Sequence, residues 1–278
     1  MILKNKIGIM QGRLLPKYQG RYQAHPVGYW QEEFTHANHL GLDCIEFIIN
    51  YDNSEKNPLL NSEGLENIRE ISNKSGVRVL SICADYFMEA PIHSNNFTVV
   101  DKSLTTLEHL IKNASLLNVS NIIIPCVDKS SFKNDKDIDT FVNNIKLVIK
   151  SAERANINLC LETDLAPKKF ANMLDTIGSN NVMINYDIGN STSKGYDSDE
   201  EFRCYGDKIV HLHIKDRLLG GSSVSLGTGD ANFSKFFNLL LKYNYAGLII
   251  FEAFRDDEGI EIFKKQYNWF KDQLKRFG

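Results

Sequence analysis

Eight short runs rich in Ile, Val and Leu punctuate the chain at nearly regular intervals: "KIGIM" from residue 6, "CIEFII" from 44, "VRVLSICA" from 77, "NIIIPCV" from 121, "INLCLET" from 157, "VMINYD" from 182, "IVHLHI" from 209 and "GLIIFEA" from 247. Most are almost continuously apolar rather than cleanly alternating, the pattern of parallel strands covered on both faces. Between them lie segments with helical spacing. "WQEEFTHANHLGL" puts Trp30, Phe34, Ala37 and Leu40 or Leu42 on one stripe and ends at Gly41, and "LTTLEHLIKNASLLNV", "FVNNIKLVIKSAERA", "FSKFFNLLLKYN" and "IFKKQYNWFKDQL" repeat the pattern. Only "STSKGYDSDEEFRCYG" is poor, predicting one short helix opened by Asp197 or Ser198. Eight strand–helix alternations over about 250 residues without a linker predict a (β/α)8 barrel, one domain over residues 1–278. An open doubly wound sheet is the alternative, but the glycines of "GIMQGRL" after the first strand do not make its GxGxxG turn.

A chain of 278 residues with 42% hydrophobic residues has ample material for such a core. Its net charge of −3 and the lack of any block of Lys or Arg argue against nucleic acid and membrane surfaces, leaving a small soluble molecule as the expected partner. A homo-oligomer is left open. Five widely spaced cysteines without a CxxC pair fit a reducing compartment. The opening stretch "MILKNKIGIMQGRL" has too short an apolar run for a signal peptide, and no run reaches membrane-spanning length, so a cytoplasmic location is expected.

In a barrel of this kind the chemistry gathers at the C-terminal ends of the strands. Those ends offer Glu46, Asp85, Glu162 and Asp164, then Asp187 and Asn190, then His213, Lys215 and Asp216, and finally Glu252. Glu162, Asp187, His213 and Glu252 fall on four successive strands, each about one strand–helix unit from the next, so they can converge at the mouth. Three carboxylates and an imidazole make a hard, oxygen-rich site suited to Mn²⁺ or Mg²⁺, with Zn²⁺ or Co²⁺ as further fits. Without a cation the carboxylates would repel. His211 shares a face with His213, so the two either line one polar pocket or serve a metal, with His211 as the supporting ring. Glu46 and Asp85 are read as structural or substrate-adjacent. Asn190, Lys215, Asp216, Arg217 and His211 are the expected substrate contacts. In "RLLGGSSVSLGTGD", Arg217, the Gly220 and Gly221 amides and the Ser222 and Ser223 hydroxyls form either a phosphate cradle or an ordinary loop.

"LCLETD", "INYDIGNST", "IVHLHIKD" and "IIFEA", in that order, resemble the xylose-isomerase-like TIM-barrel superfamily over the whole chain. "DIGN" followed by "HIKD" is most similar to its sugar-phosphate isomerase/epimerase branch, which includes L-ribulose-5-phosphate (L-xylulose-5-phosphate) 3-epimerases. The resemblance implies that Glu162, Asp187, His213 and Glu252 bind a divalent metal and that Glu162 and Glu252 are the acid/base pair. Free-ketose 3-epimerases carry a histidine three residues past the strand-six aspartate and an arginine six past the strand-seven histidine. Here Asn190 and Leu219 stand there, which argues against a tagatose- or psicose-type activity. Two carboxylates on opposite faces suit epimerisation, and one of them would serve an aldose–ketose isomerase. Two other classes use such a barrel: a metal-dependent apurinic endonuclease, and a sugar-binding barrel without turnover.

Overall fold

In the computed structural model, which describes residues 4–257 and 259–277, each of the eight apolar runs is a strand. They are β1 (Ile7–Met10), β2 (Cys44–Ile48), β3 (Arg78–Cys83), β4 (Asn121–Cys126), β5 (Asn158–Thr163), β6 (Val182–Asp187), β7 (Ile209–Ile214) and β8 (Leu248–Phe251). Each pairs in parallel with its neighbours in sequence, and β1 closes the ring on β8 with Ile7 opposite Ile249 and Ile9 opposite Phe251. The expected (β/α)8 barrel is the observed fold. The first three residues, part of the stretch judged too short for a signal peptide, lie outside the described residues.

Strand pleating divides the apolar residues in two. Outward side chains such as Ile45, Phe47, Ile122 and Ile124 join helix residues such as Phe34, Leu107, Phe141 and Phe270 in the large core between wall and helices. Inward ones make a smaller cluster of Met10, Cys44, Ile48, Cys83, Ile123, Cys160, Leu248 and Ile250. The filling is tight: a Cβ on Gly8 would lie 2.5 Å from the Cys44 carbonyl oxygen. Two residues further along the same inward faces, Cys44 gives way to Glu46, Cys160 to Glu162, Met183 to Asn185 and Ile250 to Glu252. The interior therefore changes from sulfur and hydrocarbon to charge as the strands approach the mouth.

Three features depart from the expected outline. A helix at Ile188–Lys194 springs directly from β6, with Asp187 as its N-cap, where the polar sequence gave no helical stripe. The expected short helix follows at Ser198–Tyr205, capped by Asp197. The glycine-rich segment after β7 holds a small antiparallel ribbon, Asp216–Arg217 against Ser223–Val224. The long loop after β1 is tied down by Glu33, whose buried carboxylate accepts the Gly12 N–H at 2.7 Å and the Leu14 N–H at 2.9 Å.

Candidate active site

Each oxygen of Glu162, at the end of β5, accepts from an amide at 2.7 Å: Oε1 from Asn190 and Oε2 from Asn185. Asp187 spends Oδ1 on the Asn190 backbone N–H (2.8 Å), which caps the following helix and leaves only Oδ2 free for the mouth. Lys215 Nζ lies 3.3 Å from that oxygen and 2.5 Å from Glu252 Oε1. The other Glu252 oxygen is 3.1 Å from His213 Nδ1, and Glu162 Oε2 is 3.4 Å from the same nitrogen. Four successive strands thus deliver three carboxylates and an imidazole to one buried spot.

The network also orients the rings. Asn185 Oδ1 lies 2.8 Å from His211 Nδ1 and can only accept, so the Asn185 amide group faces Glu162 and His213 Nδ1, the latter at 3.0 Å. A neutral His213 therefore keeps its lone pair on Nδ1 and its proton on Nε2, which donates to Glu46 Oε1 at 2.7 Å. Glu46 reaches this position from β2, across the barrel. His211 Nε2 lies 2.8 Å from the second Glu46 oxygen, a close polar contact angled outside hydrogen-bond geometry.

This donor set fits a divalent cation. Donor atoms of Glu162, Asp187 and His213 all lie within 4.8 Å of one another; Glu252 stands outside that group and touches it at His213, with Oε2 3.1 Å from Nδ1. Glu46, His211 and His213 meet the same spacing through the opposite face of the His213 ring. That second group is two rings around one acid, with Nε2 of His213 already donating, so it serves better as support than as a second oxygen-rich site.

Burial and mutual charge shape the protonation states. Burial alone would raise Glu252, but Lys215, His213 and Arg13 hold it well below the usual carboxylate range. Burial would also raise Glu46, yet His211 and His213 hold it low. Asp187 is pushed up to about 6 by burial, against the pull of Lys215 and with the push of Glu252 and Glu162. Burial lowers His213, but Glu46 first, then Glu162 and Glu252, carry it well above an ordinary imidazole. The site attracts positive charge from whatever source.

The other expected contacts separate into two groups. Asn190 and Lys215 meet the carboxylates directly, and Arg217 Nη1 donates to Asn190 Oδ1 at 2.8 Å. Asp216, expected to touch substrate, is instead fully buried, and its carboxylate accepts from the backbone of Gly227, Gly229 and Ala231 at 2.9 to 3.2 Å. It organises the loop after the ribbon. The Gly220 and Gly221 amides are likewise engaged, each at 2.8 Å, by the Ser193 and Leu218 carbonyls. Arg217 Nε and Nη2 both donate to Gly221 O. Asp164 pairs with Lys194 and Ser131, and the half-buried Asp85, pushed up to about 6 by burial, sits against Cys83 and Gln23.

Sequence reasoning missed Asn185 and Arg13. The first was legible, a polar residue inside an apolar run two places before Asp187 and so on its inward face. The second was not: Arg13 comes from the aperiodic loop after β1, donates to Ala253 O and Gln23 Oε1, and lies 3.5 Å from Glu252.

A closed parallel barrel with acids and a histidine gathered at the C-terminal strand ends defines the class: a (β/α)8 barrel with a candidate metal site in its mouth. The chain belongs to the xylose isomerase-like TIM barrel family, whose model matches residues 34–273. A Haemophilus influenzae protein provisionally named L-ribulose-5-phosphate 3-epimerase SgbU is 26% identical, covering 99% of this chain and 98% of its own. Among solved structures, a D-allulose 3-epimerase from Methylomonas sp., in complex with D-allulose, superposes with a TM-score of 0.76 at 15% identity over 97% of both chains. The IOLI protein with a bound zinc atom gives 0.74 at 16% identity, covering 94% of this chain and 96% of that one.

Proposed function

We propose that the protein is a divalent-metal-dependent 3-epimerase of a ketose phosphate, of the L-ribulose 5-phosphate type, with Glu162 and Glu252 as its acid/base pair. One observation carries this reading: the two glutamates approach the same His213 nitrogen, at 3.4 and 3.1 Å, from strands three apart around the ring. A sugar seated there has one carboxylate on each side. The name of the Haemophilus influenzae relative supports the substrate, and the oxygen-rich donor set favours Mn²⁺ or Mg²⁺, with Zn²⁺ or Co²⁺ as further fits.

Glu162, Asp187, His213 and Glu252 would hold the cation, which supplies Lewis-acid stabilisation of the negative charge that develops on the sugar oxygens when the C3 proton leaves. The protein's own groups do the rest. One glutamate accepts the C3 proton, and the other returns a proton to the opposite face, inverting that carbon. Asn185 and Asn190 hold both Glu162 oxygens in place, while Lys215 and Arg13 hold Glu252. Arg217 fixes the Asn190 amide so that its N–H faces Glu162. Glu46 keeps His213 in the tautomer whose lone pair faces the mouth.

The test is incubation of Mn²⁺-loaded protein with L-ribulose 5-phosphate in D₂O, followed by NMR. Deuterium should enter at C3 as the second epimer appears, and unphosphorylated L-ribulose should react more slowly. Exchange at C1 with formation of an aldose would make the protein an isomerase, and no exchange with either sugar would leave a binding barrel.

A further inference from the structure

Lys215 reaches a second acid besides the Glu252 that it holds. Its ammonium is buried between Asp187 Oδ2 and Glu252 Oε1, at 3.3 and 2.5 Å. Those two acids belong to the carboxylate set that would hold the cation. Asp187 turns Oδ2 to the mouth, because Oδ1 accepts the Asn190 N–H that caps the helix at Ile188–Lys194. Glu252 differs: Oε2 faces His213, so it can serve the mouth while Oε1 stays on the lysine.

The chain also makes room for this lysine. A Cβ on Gly189 would lie 2.7 Å from Lys215 Cγ and 3.0 Å from Cβ and Cδ, so the glycine is the trough along which the lysine stem reaches the acids. Gly189 has no positive φ to justify it, which leaves this close approach as its reason. The "DIGN" and "HIKD" segments are thus matched parts: the glycine of one admits the lysine of the other.

We propose that Lys215 is a built-in counter-cation, which keeps the mouth assembled without metal and which a divalent ion must displace from Asp187 Oδ2 in order to bind. The inference rests on the metal-site reading above. In the metal-free protein the ammonium offsets the repulsion among Glu162, Asp187 and Glu252. When a divalent cation takes Asp187 Oδ2, Lys215 keeps Glu252 Oε1 and gains a free N–H at the mouth. Metal binding is therefore weaker than the four donors alone would give, and the site stays exchangeable.

The experiment is calorimetric titration of metal-free protein with MnCl₂, with thermal unfolding of the metal-free and Mn²⁺-loaded forms. Lys215→Met removes the charge and keeps the stem. It should bind Mn²⁺ about tenfold more tightly or better, since two cations a few ångströms apart repel strongly even at intermediate dielectric. Its metal-free Tm should fall, and its Mn²⁺-induced rise in Tm should exceed that of the wild type. If that variant does not fold without metal, Gly189→Ala, which keeps every charged group but pushes the stem from its trough, should tighten Mn²⁺ binding in the same direction by a smaller factor. Unchanged or weaker binding in the variant measured overturns the counter-cation role and leaves the epimerase reading standing. A wild type that binds no Mn²⁺ at the mouth overturns both.

Discussion

The strands of the first half of the mouth carry Gln11, Glu46, Cys83 with Asp85, and Cys126 at their ends, whereas β5 to β8 deliver Glu162, Asp187, His213 and Glu252. Gln11 Oε1 accepts the Ile48 N–H and meets His25 Nδ1, so that oxygen joins the loop after β1 to the wall. Glu46 crosses the barrel to hold the rings of β7. The second half gathers the groups that can touch a cation or a sugar, and the first half braces them. A symmetric fold has been loaded asymmetrically, and substitutions in the two halves should fail in different ways.

The largest effect is expected in the second half. Replacing Glu162 or Glu252 by Gln keeps an oxygen but removes the proton acceptor, so turnover should fall by about 10²-fold or more. With substrate carrying deuterium at C3, Glu162→Gln should still release label from one epimer only and Glu252→Gln from the other. If one variant loses all exchange and the other none, a single base is at work and the two-faced account gives way.

Next comes the brace. Glu46→Gln leaves every proposed ligand in place but loosens the tautomer and orientation of His213. A loss of roughly 10- to 100-fold in Mn²⁺ affinity is expected, the usual range for a group behind a metal-bound histidine. Unaltered metal binding would make the first half mere packing.

Arg217→Ala sharpens the comparison within the second half. If the guanidinium acts by orienting Asn190 and through it Glu162, kcat should drop by about tenfold with KM little changed, and equally for phosphorylated and free ketose. A rise in KM confined to the phosphorylated sugar would assign Arg217 to the phosphate instead.

The smallest effect belongs to the loop after β1. Burial pushes Glu33 up to about 7, against the pull of the Gly12 and Leu14 amides, whereas in the unfolded chain it titrates near 4.5. An acid raised in the folded state adds stability that is complete below the unfolded value and is lost as pH rises through the folded one. The Tm of the wild type should therefore decline from about pH 4.5 to 7 more steeply than that of Glu33→Gln. Parallel curves would show that Glu33 stays ionised throughout.

The barrel was legible because its strands are buried on both faces, and eight nearly unbroken apolar runs leave little else to build. The ends of β5 to β8 were legible for a related reason: an acid or histidine that closes an apolar run is conspicuous. Local polar chemistry was not. Asp187 caps its helix through one short contact, Asp216 gathers three loop amides, and the Gly220 and Gly221 amides, readable as an anion cradle, are closed by neighbouring carbonyls. Such bonds depend on backbone turns that leave no periodicity. Glu46 shows the other limit, since its partners stand 167 residues away for His213 and on the far side of the ring.

One imidazole separates the two candidate groups: His213 turns Nδ1 toward Glu162 and Glu252, and Nε2 toward Glu46. Anomalous scattering from crystals grown with Mn²⁺ therefore tests the central claim directly. A single peak on the Nδ1 side, within bonding reach of Glu162, Asp187 and Glu252, is the predicted result, at metal–ligand distances of roughly 2 Å. A peak on the Nε2 side among Glu46, His211 and His213, or no peak at the mouth with metal bound elsewhere, would contradict it.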